Sequence, residues 1–177
     1  MKLILVTFLL VASPIWPLGQ NPLPGDPFII VNLQKNQLAL IRDNSIYKVY
    51  PIATGKIKDP TPEGVHTVTV KAINPYYRRN NIQGGDPKNP LGSRWIGFDA
   101  LDTDGRIYGI HGTNNPWSIG YSVSNGCVRM LNKSVEEIFD YIPIGTKVYV
   151  TTSSRSFEEI AVEQGAMKRN ENGLKYP

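Results

Sequence analysis

A thiol, an imidazole and a guanidinium fall within nineteen residues of one another: His111, Cys127 and Arg129, in the run YGIHGTNNPWSIGYSVSNGCVRM from Tyr108 to Met130. Cys127 is the only cysteine in the chain and His111 is one of two histidines. The thiolate, not the thiol, attacks a carbonyl, and a neighbouring imidazole or cation brings a thiol pKa from about 8.5 into the range of roughly 3.5 to 7.5. The expectation is that His111 lowers the Cys127 pKa in this way. A single cysteine also rules out an internal disulfide, so the thiol is either reactive, paired between chains, or a small buried hydrophobe. Its polar, glycine-flanked surroundings favour the reactive reading.

Gly126 stands directly before the thiol, where a side chain would obstruct an approaching carbonyl carbon and restrict the turn that exposes the sulfur. The amides of Gly126 and Cys127 are expected to converge as an oxyanion hole, in which one lost donor typically costs about 2.7 to 4 kcal/mol. Arg129 follows two residues on. If the chain is extended through Val128, alternation puts Arg129 and Cys127 on one side. The alternative for Arg129 is a structural salt bridge.

HGT at 111–113, thirteen intervening residues and then Cys127 within SNGCVRM resemble the signature of the YkuD-type L,D-transpeptidases. That pattern is a histidine-glycine pair followed by Ser-X-Gly-Cys-hydrophobic-Arg. The similarity extends upstream to ATGKIKDPTPEG and NPLGSRW, and covers roughly residues 28–152. Many members carry histidine where this chain has Asn125. The resemblance implies that Cys127 forms a thioester with a peptidoglycan stem peptide, with His111 as base and then acid. It also implies that the backbone carbonyl of Gly112 orients the imidazole, so that no acidic third residue is needed. Gly126 would contribute to the oxyanion hole, and Arg129, Ser124, Asn125 and Tyr108 would bind substrate, the arginine by gripping a stem carboxylate. Capture by carbapenem-type inhibitors is implied as well. Two rivals stand beside this: an L,D-carboxypeptidase that hydrolyses the same thioester, and a non-catalytic wall-binding module.

These groups need a rigid frame. At 177 residues, 41% hydrophobic and 19% charged, the chain suits one compact domain. A net charge of +4 would suit an anionic polymer surface but reads first as ordinary surface solvation, and no basic stripe interleaved with aromatics points to nucleic acid. Residues 1–12, MKLILVTFLLVA, form a lysine-led apolar run that breaks at Ser13 and Pro14. It is shorter than the roughly 20 residues a bilayer span needs and fits a secretory signal, or an anchor if uncleaved, ending near residue 19. The resulting location is the cell wall or periplasm of a bacterium. Residues 20–27, rich in proline, read as a linker.

From residue 28, FIIVNL, QLALIR and SIYKVY predict a β-meander, VHTVTVKAI a fourth strand, RWIGFDAL and RIYGIHG two more, and KVYVTT the last. The fold expected is mainly β, a single YkuD-like sandwich of about seven short strands with one or two short helices. Capping boxes at Ser134–Glu137 and Ser156–Glu159 open the helices. The second box falls in a C-terminal extension, 153–177, whose polar end from Gln164 is expected to fray. His66 reads as a packed strand histidine. Asp102 and Asp104 read as a tight turn and not a calcium loop, zinc has no ligand spacing, and Ser118, Ser122 and Ser124 sit in no nucleophile elbow; no cofactor is expected. The long 74–92 segment is either a binding wall carrying Tyr76, Tyr77, Arg78 and Arg79 or a solvated excursion.

Overall fold

The computed structural model describes residues 21–169. The proposed signal or anchor segment and the last eight residues of the tail lie outside the described residues. The meander forms as expected: β1 (Phe28–Asn32), β2 (Gln37–Arg42) and β3 (Ser45–Pro51) pair antiparallel in sequence. Asp43 and Asn44 join β2 to β3 with φ of 52° and 59°, the left-handed pair that a two-residue type I′ hairpin requires.

Seven further strands follow: β4 (Thr54–Gly55), β5 (Gly64–Ile73), β6 (Arg94–Phe98), β7 (Tyr108–His111), β8 (Ser122–Ser124), β9 (Val128–Arg129) and β10 (Lys147–Thr151). Eight of the ten make one sheet in the order β3-β2-β1-β10-β5-β6-β7-β9, and β4 pairs with β8 in a small separate ribbon. The two layers of the expected sandwich are therefore one curled sheet. β5 makes the corner, pairing with β10 through Gly64–Thr67 and with β6 from Val68 onward, with a register shift between Val68 and Val70. A bulge bends a strand and increases its twist, which lets one long strand serve both halves.

Alternation sorts the side chains. Ile29, Val31, Leu38 and Leu40 point into the main core with Val68, Ile96, Phe98, Ile110, Val128 and Met130, while Phe28, Ile30, Ala39 and Ile41 point to the other face. α1 (Asn132–Phe139) closes the first core with Val135, Ile138 and Phe139. α2 (Phe157–Glu163) covers the second with Phe157, Ile160 and Ala161. Each buried Val, Leu, Ile or Phe side chain contributes about 1.5 to 3 kcal/mol by leaving water, so both faces of β1 are anchored.

Several expectations change. The Ser156–Glu159 box is present, with Glu159 N–H donating to Ser156 Oγ at 3.2 Å and Ser156 N–H to Glu159 Oε2 at 2.9 Å. The Ser134–Glu137 box is not: α1 starts two residues earlier, and Lys48 Nζ holds both carboxylate oxygens of Glu137 at 2.9 and 2.8 Å. The tail does not fray at Gln164, because Ala166 is fully buried and Lys168 N–H donates to Asn44 Oδ1 at 2.7 Å. The proline-rich 21–27 run has no strand or helix, yet it is docked, with Asn21 Nδ2 donating to Gly145 O at 2.8 Å.

Candidate active site

β7 and β9 run parallel, with Ile110 opposite Val128 and His111 opposite Arg129. Ile110 and Val128 are fully buried in the core, so alternation turns His111 and Arg129, with Gly109 and Cys127 one step earlier, to the other side. Three reactive groups thus share one face at the sheet edge. The Arg129 backbone is clamped there, exchanging both hydrogen bonds with Ala53 at 2.8 and 2.9 Å. Its guanidinium makes no ion pair among the described residues, so the salt-bridge alternative finds no partner there.

His111 is 4% exposed, and its Nδ1 donates to Gly112 O at 2.6 Å. A carbonyl can only accept, so the proton sits on Nδ1 and the Nε2 lone pair remains for proton transfer. The ring stacks on Trp95 with centroids 5.5 Å apart and planes at 20°. Burial pushes the His111 pKa down to about 4; the Gly112 and Leu91 carbonyls pull it up, and the Arg129 charge adds to the fall. The imidazole is neutral at pH 7.

Cys127 corrects one expectation. Its thiol is directed at Ile107 O, 3.4 Å away, and burial raises its pKa to about 11, against the opposing pull of the Gly109 amide and the Arg129 charge. At rest the site holds a thiol and a neutral imidazole, not a thiolate–imidazolium pair. The physical reason is that the sheet edge desolvates both groups, and desolvation disfavours both charged forms. Catalytic hydrogen bonds of unliganded enzymes commonly tighten only with substrate.

The turn before the thiol is held from inside. Ser124 is 1% exposed; its Oγ donates to Cys127 O at 2.6 Å and accepts Gly126 N–H at 3.2 Å. Ser124 therefore pins the turn and has no hydroxyl to offer substrate. The Gly126 amide is likewise committed, which leaves the Cys127 amide as the donor this turn can present to an oxyanion. Gly126 has φ +102°, and a Cβ there would lie 3.0 Å from the Tyr108 ring and 3.3 Å from Pro60 O, so glycine is required twice over. Tyr108 packs against the core on the Ile110 side, and so supports the turn from beneath instead of facing substrate. Asn125 is exposed, its Oδ1 accepting Lys56 Nζ at 2.8 Å. The same loop explains the ATGKIKDPTPEG stretch: Thr61, 2% exposed, accepts Gly55 N–H on Oγ1 at 2.9 Å and closes it.

Two positions escaped the sequence reading. Trp95 lies across Gly97 and Gly109, which are direct cross-strand partners. A Cβ would sit 2.5 Å from Trp95 Nε1 at Gly97 and 2.7 Å from Trp95 Cζ2 at Gly109. The indole Nε1 donates to Gly105 O at 2.9 Å. A glycine in each of two adjacent strands was the available signal for a flat ring between them. The other is Asn132, whose side chain reaches back from α1 to the loops holding Gly92 and Gly112. In the 74–92 segment, Gly85, Asp86, Pro87 and Asn89 border a cavity of about 480 Å³ with Thr113 and Asn132. Tyr76, Tyr77, Arg78 and Arg79 do not border it. His66 is a packed strand residue, 9% exposed. Among the described residues, no group of three or more His, Cys, Asp or Glu is placed to hold a metal ion.

Comparison with known proteins finds relatives across most of the chain. The family model described as "L,D-transpeptidase catalytic domain", YkuD, matches residues 26–150. The Bacillus subtilis (strain 168) protein named "Putative L,D-transpeptidase YqjB" is 59% identical over 172 residues, covering 97% of this chain and 98% of that one. The solution structure of the catalytic domain from the E. faecium L,D-transpeptidase superposes with a TM-score of 0.56 at 27% identity, covering 71% of this chain and 97% of that one. The L,D-transpeptidase LdtMt1 in complex with imipenem has the same fold, with a TM-score of 0.56 at 17% identity; 71% of this chain covers 58% of that one. With the curled sheet, the HGT strand end and the cysteine turn all in the matched span, the chain belongs to the YkuD family of L,D-transpeptidase catalytic domains.

Proposed function

We propose that the protein is an exported L,D-transpeptidase that remodels peptidoglycan through a Cys127 thioester. The observation that carries this is the shared face of His111, Cys127 and Arg129 at the edge of β7 and β9, with the imidazole lone pair set by the Gly112 carbonyl. Sγ attacks the carbonyl that follows the L-centre of a tetrapeptide stem while His111 Nε2 takes the thiol proton, so the ionised pair never accumulates. His111 returns that proton to the departing amine and the terminal D-residue leaves. An amine of a neighbouring stem then attacks the thioester, His111 takes its proton, and Sγ is released and reprotonated. The Cys127 amide stabilises the oxyanion and Arg129 grips a stem carboxylate, a two-pronged contact that a planar guanidinium favours. The lysine-led apolar segment before residue 20 directs the chain out of the cell.

Incubating the full chain with disaccharide-tetrapeptide and weighing the products tests this. A cross-linked dimer is expected. A trimmed tripeptide alone would make the protein a carboxypeptidase, and unchanged substrate would make it a binding module. By analogy with the imipenem complex, a carbapenem should add its mass to wild type and not to Cys127→Ala.

A further inference from the structure

One peptide unit behind His111 is hydrogen-bonded at both ends. The Gly112 carbonyl accepts His111 Nδ1–H at 2.6 Å, and the N–H of the same peptide, on Thr113, donates to Asn132 Oδ1 at 3.0 Å. Ser93 N–H donates to the same Oδ1 at 3.3 Å. Both donors are backbone N–H groups, so the carboxamide must present its oxygen and not its nitrogen, and its orientation is decided by the network.

The surroundings are shaped around that oxygen. A Cβ at Gly112 or at Gly92 would collide with Asn132 Oδ1, so each loop carries glycine where the carboxamide enters. Asn132 is the first residue of α1, directly after the N-cap Leu131, which has no side-chain oxygen to cap the helix. The Asn132 oxygen reaches instead to loops 19 and 39 residues away. Hydrogen bonds in series polarise one another, by about 10–30% per bond in condensed-phase estimates. An acceptor on the Thr113 N–H therefore makes the Gly112 oxygen a stronger and better-aimed acceptor for Nδ1–H.

We propose that Asn132 is a positioning residue of the catalytic site: acting through the Gly112–Thr113 peptide, it aims and polarises the carbonyl that holds the His111 Nδ1 proton, the place an acidic side chain takes beside other catalytic histidines. The chain runs Asn132 Oδ1, peptide, imidazole, and by fixing the proton on Nδ1 it leaves the lone pair on Nε2. The effect on turnover rests on the transpeptidase reading above; the effect on the imidazole does not.

The chain has two histidines, so ¹⁵N-histidine labelling of the full protein yields two imidazoles, with His66 as internal control. Wild type should show His111 protonated on Nδ1. Asn132→Ala removes the acceptor; the His111 Nδ1–H population and pKa should both fall, and kcat should drop roughly ten- to a hundredfold, as small misplacements of catalytic groups do. Asn132→Asp keeps an oxygen in place and adds charge; the His111 pKa should rise, and the loss of turnover should be smaller than for alanine. His66 signals should not move in either variant. Unchanged His111 signals and titration in both variants would overturn the proposal, and a turnover loss that then tracked melting temperature would make Asn132 a loop staple. If the alanine variant does not fold, the aspartate variant decides alone, by whether the His111 pKa rises. A wild type without turnover would sink the transpeptidase reading and leave the spectra to judge Asn132.

Discussion

The two histidines sit in closely similar frames at opposite ends of the sheet's second half. His66 on β5 stacks on Phe98 at 5.3 Å and 18°, and His111 on β7 stacks on Trp95 at 5.5 Å and 20°. Each has a ring nitrogen on a backbone carbonyl, Pro62 at 3.0 Å for His66 and Gly112 at 2.6 Å for His111. Both are buried, at 9% and 4% exposure. Stacking, burial and a carbonyl partner do not by themselves make a catalytic base. What differs is the neighbouring strand: His66 faces Val148 on β10, whereas His111 faces Arg129 on β9, with Cys127 two residues before it.

The largest expected effect tests that difference directly. Positioned proton transfer is worth about 10²- to 10⁴-fold, so His111→Ala should lower kcat by that factor, measured with the stem-peptide assay. His66→Ala should leave turnover per folded molecule unchanged while lowering the melting temperature. Equal losses of turnover from both would show that lost packing, and not lost proton transfer, was being measured at His111.

A second test uses protons. His111 falls from 6.5 to about 4 on folding because burial disfavours the imidazolium. Between those pH values the unfolded chain binds a proton that the native chain does not, so stability is full above pH 6.5 and is lost as pH falls towards 4. At 1.36 kcal/mol per pH unit the loss is about 3 kcal/mol. Urea titrations at pH 7 and pH 4 should show this component in wild type and lack it in His111→Gln. Alkylation of Cys127 should in turn accelerate up to about pH 11, where the thiol ionises, instead of levelling off near neutrality.

The frame of this comparison was legible in the sequence where alternation runs long enough to count. The β1–β3 runs and the His66 face of β5 follow from period two, and the shared side of Cys127 and Arg129 follows from the same rule over three residues. β4, β8 and β9, of two, three and two residues, carry no period at all, and they are the strands that bring the cysteine turn to the histidine. Tyr108 was readable and misread, since three residues before His111 on a strand means the opposite face. The start of α1 was obscured by competition: Ser134 and Glu137 have capping-box spacing, but Lys48 from β3 takes the glutamate. The pKa of Cys127 could not be read, because the depth of burial that raises it is a property of the whole sheet edge.

Arg129 sharpens the comparison from the other strand. A hydrogen bond to a charged group is worth about 1.5 to 3 kcal/mol, so Arg129→Lys should reduce kcat/KM on the stem peptide roughly ten- to a hundredfold. Lysine keeps the positive charge beside Cys127 and loses the fork, so alkylation by a small neutral reagent should stay close to wild type. Melting temperature must be matched. If the variant instead lost stability and alkylation together while turnover per folded molecule held, the arginine would belong to the scaffold.

The smallest effect belongs to the ring beneath the imidazole. Trp95 is 8% exposed and does three things: it stacks on His111, fills the space over Gly97 and Gly109, and donates Nε1 to Gly105 O at 2.9 Å. Trp95→Phe keeps an aromatic face for the imidazole and loses the donor, leaving the Gly105 carbonyl without that partner. An aromatic pair is worth about 0.5 to 1.5 kcal/mol beyond its buried area, and a typical neutral hydrogen bond about as much. Trp95→Phe should therefore lower stability by about 1 kcal/mol, read from urea titration, with a turnover change of a few fold. Trp95→Leu removes the stack as well, and its turnover should fall further than its stability alone explains. The matching change under His66, Phe98→Leu, removes the other stack and should lower stability without touching turnover per folded molecule. If Trp95→Leu and Phe98→Leu affected turnover alike, the stacked ring would be a packing device at both histidines, and the setting of His111 would rest on Gly112 with Asn132 behind it, Cys127 and Arg129.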